Sequence, residues 1–120
     1  MTEAIARPGP QIDHPRELDR IVKQIVAKAD PMAIYLFGSR ARGDARDDSD
    51  YDLMIVVPDD FPASKRNSAT AYALVEGRRI PIDVAIVSEA RFRERSEKVG
   101  TLSFEVGQDG VRLYERRHRS

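Results

Sequence analysis

Two short apolar runs, MAIYLF at 32–37 and YDLMIVV at 51–57, stand on either side of the polar segment GSRARGDARDDSD, residues 38–50. Apolar runs of this length, bounded by proline, glycine and aspartate, are too short for buried helices and fit buried strands. The chain therefore has to fold around two strands joined by a polar loop. That loop is unusual in carrying Asp44, Asp47, Asp48 and Asp50, with Asp52 inside the second run. Carboxylates at the mouth of a buried strand are costly unless they find a cation, a donor or a proton.

The flanking sequence supplies helices to cover such strands. Pro15 is a favoured first helical residue, and Leu18, Ile21, Val22, Ile25, Val26 and Ala29 follow at helical spacing until Asp30-Pro31 stops the run. Beyond Pro58 and the turn from Asp59 to Pro62, residues 64–75 have helical character with a small-residue face, closed by Gly77. The stretch 79–87 reads as a third strand, with Pro81 near its start where a missing donor is tolerated. Ser88 then caps a helix over 91–99, a short helical turn lies around 101–106, and a last strand covers 111–114 after Gly110. The order α-β-β-α-β-α-β predicts a mixed α/β or α+β domain, a small sheet with helices packed on it.

The chain has 120 residues, which is one domain's worth. It is expected to form a single domain over 14–116, preceded by a loose arm over 1–13 and followed by a basic tail at 117–120. Twenty basic residues balance twenty acidic ones, so no overall field would draw the protein to nucleic acid or to an anionic membrane. Any anion site must be local. The absence of cysteine excludes a disulfide framework, a thiolate zinc site and a cysteine nucleophile, and fits a reducing interior. No apolar run approaches the roughly 18 residues a membrane helix needs, and the N-terminus lacks the pattern of a signal peptide. The expected location is cytoplasmic, with no membrane and no direct nucleic-acid partner.

Residues two apart on a strand share a face and lie roughly 6.6 Å apart, so Asp50 and Asp52 project together. Two converging carboxylates repel, and a divalent cation relieves the conflict: magnesium takes one or two carboxylates together with substrate phosphates. Asp83, inside the apolar stretch 80–87, supplies a third acid if the second and third strands are neighbours, and three carboxylates about one point suit two-metal phosphoryl or nucleotidyl transfer. A buried ion pair with Arg78 or Arg79 is the structural alternative for Asp83. In the preceding loop, Gly38 permits close backbone approach, Ser39 offers a hydroxyl or a helix cap, and a helix opening there favours an anion. Arg40 and Arg42 are either forked donors to a polyphosphate or ordinary surface charge. Asp44, Asp47 and Asp48 read as a solvated turn. His14 and His118 carry no ligand role, and Tyr35, Phe37 and Tyr51 read as core or site wall.

Familiar phosphate and metal loops do not fit. Gly38 to Gly43 has the glycine spacing of a P-loop, but Asp44-Ala45 stands where Lys-Ser/Thr is required. Asp48, Asp50 and Asp52 imitate the first ligands of an EF-hand, but Leu53 stands where that loop needs glycine. There is no G-x-G-x-x-G.

Gly38-Ser39, Gly43 and Ser49-Asp50-Tyr51-Asp52-Leu53 resemble the G-S…S-D-x-D-L signature of the nucleotidyltransferase (DNA polymerase β-like) superfamily, and in particular of its minimal nucleotidyltransferase, or MNT, members. Asp83 stands where that family's third metal-binding acid belongs, and the closing G-T-L…G-V-R-L-Y-E run, 100–115, is also similar to these short proteins. The resemblance covers roughly 32–115. It implies a nucleotidyltransferase fold, with Asp50, Asp52 and Asp83 holding two Mg2+ ions, Asp83 helping to deprotonate the acceptor, and Gly38 and Ser39 holding the terminal phosphates. Larger members carry a second domain for the acceptor, for which this chain has no room. The resemblance therefore implies an antitoxin that transfers AMP from ATP to a tyrosine of a HEPN-domain ribonuclease toxin. The alternatives are an antitoxin acting by contact alone, or transfer to a small hydroxyl compound such as an aminoglycoside.

Overall fold

A computed structural model describes residues 7–8 and 15–116. His14, His118 and the tail 117–120 lie outside the described residues, as does the arm over 1–13 apart from Arg7–Pro8. The elements in chain order are β1 (Arg7–Pro8), α1 (Arg16–Ala29), β2 (Ala33–Phe37), α2 (Ser39–Arg42), β3 (Tyr51–Val57), a 3-10 turn (Ala63–Lys65), α3 (Ser68–Leu74), β4 (Ile82–Ser88), α4 (Glu89–Arg95), α5 (Leu102–Asp109) and β5 (Val111–Glu115). The five strands form one mixed sheet in the order β1-β5-β2-β3-β4. The pairings of β5 with β2 and of β2 with β3 are antiparallel, and that of β3 with β4 is parallel.

The near-continuous hydrophobicity of β2 and β3 follows from cover on both faces. On one face Leu18, Ile21 and Ile25 of α1 and Leu74 of α3 join a core with Leu36, Leu53 and Ile55. On the other, Phe92 of α4 and Val106 of α5 pack with Tyr35, Phe37, Met54 and Val56. The Tyr35 and Phe92 rings stack with centroids 5.3 Å apart. Odd and even positions along β3 thus serve different cores, and Asp52 shares the side of Met54 and Val56. Among the described residues no helix is long and apolar enough to cross a membrane.

Helix boundaries follow local hydrogen bonds that composition alone does not reveal. Pro15 is the cap of α1 rather than its first helical residue. Asp30 ends that helix with φ 47°, a left-handed conformation that short polar side chains tolerate. The single helix expected over 64–75 is instead a 3-10 turn followed by α3. Asn67 separates them: its amide nitrogen donates to the Ser64 carbonyl at 2.7 Å and its Oδ1 accepts from the Thr70 N–H at 2.8 Å. An asparagine side chain that bonds its own backbone this way favours a helix start over a helix interior. The helix expected over 91–99 is α4, capped by Ser88 as predicted, but it ends at Arg95. There the Thr101 hydroxyl donates to the Arg95 and Lys98 carbonyls and accepts from the Phe104 N–H, closing one helix and opening α5.

Glu17 fastens α1 to the segment that leads into β4. Its carboxylate accepts from both Nε and Nη2 of Arg20 and from the Arg79 N–H at 2.7 Å. The Arg20 hydrogen bond, together with the Arg79 backbone, holds the Glu17 carboxyl down at about 2, and burial opposes the shift. A lowered pKa stabilises the fold above the ordinary carboxylate range and loses that effect as pH falls toward 2. Glu17→Gln is therefore expected to lower Tm at neutral pH, with the gap to the wild type closing as the melts are repeated down to pH 2–3.

Candidate active site

Sheet register places the acids. β3 and β4 run parallel with Asp52 opposite Asp83, so their side chains leave the same face as neighbours. β2 and β3 run antiparallel with Phe37 opposite Asp52, which brings the chain's exit from β2 directly above that carboxylate. Gly38 makes the turn at φ 76°, ψ −158°, a region open essentially to glycine alone. A Cβ at Gly38 would lie 2.3 Å from Asp52 Oδ2, so the backbone can approach the carboxylate this closely only without a side chain. Ser39 begins α2 at once, with Gly38 rather than Ser39 at the cap position, and the helix closes at Gly43 with φ 86°.

Phe37, Gly38, Asp52, Asp83, Leu102 and Glu105 line an open cleft of about 330 Å³. That volume is within the range of small-ligand sites. Asp52 is half-buried in it, whereas Asp83 and Asp50 are exposed. Burial raises the Asp52 pKa above the ordinary aspartate value, and the charges of Asp83, Asp50 and Glu105 push it further in the same direction, while Arg42 opposes them. The fold thus holds a carboxylate where negative charge is disfavoured, a site suited to a cation.

Asp83 differs from its sequence reading in two respects. It lies inside the apolar third strand as the sequence predicts, but that strand, β4, is the sheet edge and the acid is exposed at its start. Its partner is neither Arg78 nor Arg79: the Tyr72 hydroxyl donates to Asp83 Oδ1 at 2.5 Å. Tyr72 belongs to α3, which covers the opposite face of the sheet, so its ring reaches Asp83 around the β4 edge. That bond, followed by burial and the Asp83 charge, raises the Tyr72 pKa.

The remaining candidate residues lie around this centre. Asp50 immediately precedes β3, and its charge acts on Asp52. Arg40 turns into its own loop: its guanidinium donates to the carbonyls of Asp47 and Ser49 and lies 4.3 Å from the centroid of the Tyr51 ring. Arg42 pairs with Asp44 and Glu105, both at 3.3 Å. As placed, these arginines order the loop that carries the aspartates. Asp47 and Asp48 are exposed, in keeping with a solvated turn. Glu105 and Tyr72 are additions that sequence reasoning missed. Glu105 reaches the cleft because α5 packs beside β2, and no local pattern signals it. The one hint of Tyr72 is a large aromatic on an otherwise small-residue helix.

Among the described residues, no three histidine, cysteine or acidic side chains converge closely enough to form a ready-made cage for an ion. The donor chemistry nevertheless fits a hard divalent cation. Asp52 and Asp83 face one another across two strands, burial and then the neighbouring carboxylates raise the pKa of Asp52, and magnesium commonly completes such a pair with water and substrate phosphate.

Residues 16–106 match the family model described as nucleotidyltransferase domain. The chain belongs to that family. No curated protein matches it. Among solved structures, this nucleotidyltransferase is similar to a candidate nucleotidyltransferase from Sulfolobus solfataricus, with TM-score 0.58 and 24% identity over 84% of this chain and 79% of that one. It is also similar to a toxin-antitoxin solved with AMP-PNP, with TM-score 0.54 and 19% identity over 82% and 74% of the two chains. A mutant of the toxin-antitoxin MntA-HpeT gives TM-score 0.52 and 19% identity over 82% and 73%. These likenesses extend to the fold, the mixed α/β nucleotidyltransferase architecture expected from the sequence. Members of the family generally work with a divalent metal and a nucleoside triphosphate.

Proposed function

We propose that this nucleotidyltransferase is an MNT antitoxin that transfers AMP from ATP to a tyrosine of a partner HEPN-domain ribonuclease toxin, in the cytoplasm and with a single catalytic domain over 14–116. The observation that carries the reading is the pair Asp52 and Asp83, held in register beneath the Gly38 turn. The fold-level likeness to two toxin-antitoxin structures, one of them with AMP-PNP, supports the choice of partner class.

In this reading Gly38 and Ser39 seat the terminal phosphates, and Asp50, Asp52 and Asp83 hold Mg2+. The ions, when bound, neutralise phosphate charge and stabilise the entering and departing oxygens. The chain's own work is largely positioning. The cleft aligns the α-phosphorus with the acceptor phenol, and Asp83, exposed at the sheet edge, takes the phenol proton. A bond forms from the tyrosine oxygen to the α-phosphorus as the bond to the bridging oxygen of the β-phosphate breaks, and pyrophosphate leaves. Arg42 and Arg40 keep the aspartate loop in place, with phosphate contact open to either once a nucleotide is bound.

Co-expression of the partner toxin with wild type or with Asp50→Asn/Asp52→Asn tests the reading in cells. The wild type is expected to restore growth and the double variant to fail at equal abundance. Full protection by the double variant would instead establish neutralisation by contact.

A further inference from the structure

The geometry points to Tyr72 as an acceptor within the chain itself, a site of self-nucleotidylation. This inference rests on the transfer activity proposed above and adds a residue that it does not use. The acid assigned to receive the acceptor's proton already holds a hydroxyl, that of Tyr72, at 2.5 Å from Asp83 Oδ1. A hydroxyl that is to attack under general base catalysis must stand within hydrogen-bond reach of its base, at about 2.6–3.2 Å or one water away, and Tyr72 stands slightly closer than that range. Its chemistry is also that of the proposed acceptor, a tyrosine phenol.

The other tyrosines are poorly placed for the role. Tyr35 is buried against Phe92, Tyr51 lies under the Arg40 guanidinium, and Tyr114 packs against the core. Tyr72 is the exposed member of the chain's four, at 38%. The Arg78 guanidinium sits 5.4 Å from the centroid of the Tyr72 ring and adds positive charge beside the position an incoming phosphate would take. Tyr72 rides on α3, a helix of seven residues that starts at the Asn67 cap and contributes Ala71 and Leu74 to the core. The backbone that carries the phenol is therefore fixed, while its ring remains at the surface.

The step balances with a nucleoside triphosphate as the sole co-reactant. Tyr72 Oη forms a bond to the α-phosphorus, the bond from that phosphorus to the bridging oxygen of the β-phosphate breaks, the phenol proton passes to the Asp83 carboxylate, and pyrophosphate departs. The product is a nucleoside monophosphate ester on Tyr72 at the rim of the cleft. There it covers Asp83, so the modified chain loses its capacity to accept a partner's tyrosine.

Two measurements test this. The first needs neither metal nor nucleotide. The chain contains four tyrosines and no tryptophan, so tyrosine emission can be read directly. A phenol hydrogen-bonded to a carboxylate is quenched, so Asp83→Asn is expected to raise emission in the wild-type background and not in Tyr72→Phe. An unchanged signal on Asp83→Asn would remove the phenol from the carboxylate and overturn the inference. In the second, full-length protein is incubated with Mg2+ and α-labelled ATP, with and without the partner toxin, and peptides of both proteins are mapped by mass. The expected result is one AMP on the peptide that contains Tyr72, lost in Tyr72→Phe. Label on the toxin, or on another residue of this chain, with none on Tyr72 overturns Tyr72 as an acceptor and leaves the transfer activity standing. Label on neither protein overturns both.

Discussion

Asp52→Asn is expected to abolish nucleotidyl transfer while making the protein more resistant to heat at neutral pH. The two effects share one cause. Asp52 is half-buried beneath the Gly38 turn and faces Asp83, with Asp50 and Glu105 adding further negative charge. Burial and these neighbours raise its proton affinity in the folded state. A raised pKa means that the folded chain binds protons more readily than the unfolded one. Stability is then greatest below the ordinary aspartate value and declines as pH rises through the folded one. Asparagine removes the charge without removing the shape, so the variant should melt above the wild type at pH 7 and alongside it near pH 3. Activity moves the other way. Losing a partner of a metal ligand already costs roughly 10–100-fold, so loss of Asp52, a ligand in the proposed reading, is expected to cost at least on the order of a hundredfold. Melts across pH, combined with pyrophosphate release, separate this result from simple misfolding, in which both quantities fall together. The sign is opposite to that at Glu17, whose lowered pKa stabilises the fold at neutral pH.

Gly38→Ala is expected to damage both the fold and the site. Its backbone, at φ 76° and ψ −158°, lies in a region that costs a side-chain-bearing residue about 1–3 kcal/mol. The new methyl would also sit 2.3 Å from Asp52 Oδ2, so either the turn or the carboxylate has to move. For a chain of this size the conformational cost alone corresponds to a fall in Tm of roughly 4–12 °C. The shift of the turn away from Asp52 should separate the proposed phosphate seat from the acid. Transfer is therefore expected to fall even at temperatures where the variant is fully folded, as checked by circular dichroism beside the activity assay. Gly43→Ala provides the contrast. Its φ of 86° also disfavours a side chain, but the added Cβ meets nothing within 4 Å, so that variant should lose stability and keep more of its activity.

The parts of the fold legible in the sequence were those decided by local burial and punctuation. β3 occupies Tyr51–Val57 as read, because an apolar run covered on both faces begins at the aspartates and is stopped by Pro58. β2 and α1 were legible for similar reasons, and the facing of Asp52 and Asp83 follows from the pairing of β3 with β4, which the sequence left conditional. What escaped was decided by tertiary placement. The periodicity of 64–75 could not reveal that Asn67 would bond Ser64 and Thr70 and restart the helix. The position of β4 at the sheet edge, invisible in its apolar sequence, leaves Asp83 exposed and within reach of Tyr72. Arg40 carries the same charge whether it faces a phosphate or its own loop, and only the folded loop shows its guanidinium on the carbonyls of Asp47 and Ser49. Glu105 enters the cleft from α5, far along the chain from the signature it accompanies.

The most direct measurement is transfer of label from α-labelled ATP to the partner toxin in the presence of Mg2+, comparing the wild type with Asp50→Asn/Asp52→Asn. A gain of AMP on a tyrosine of the toxin with the wild type, and none with the double variant, is the predicted result. A toxin left unlabelled by the wild type, yet bound tightly without nucleotide by both forms, would contradict it.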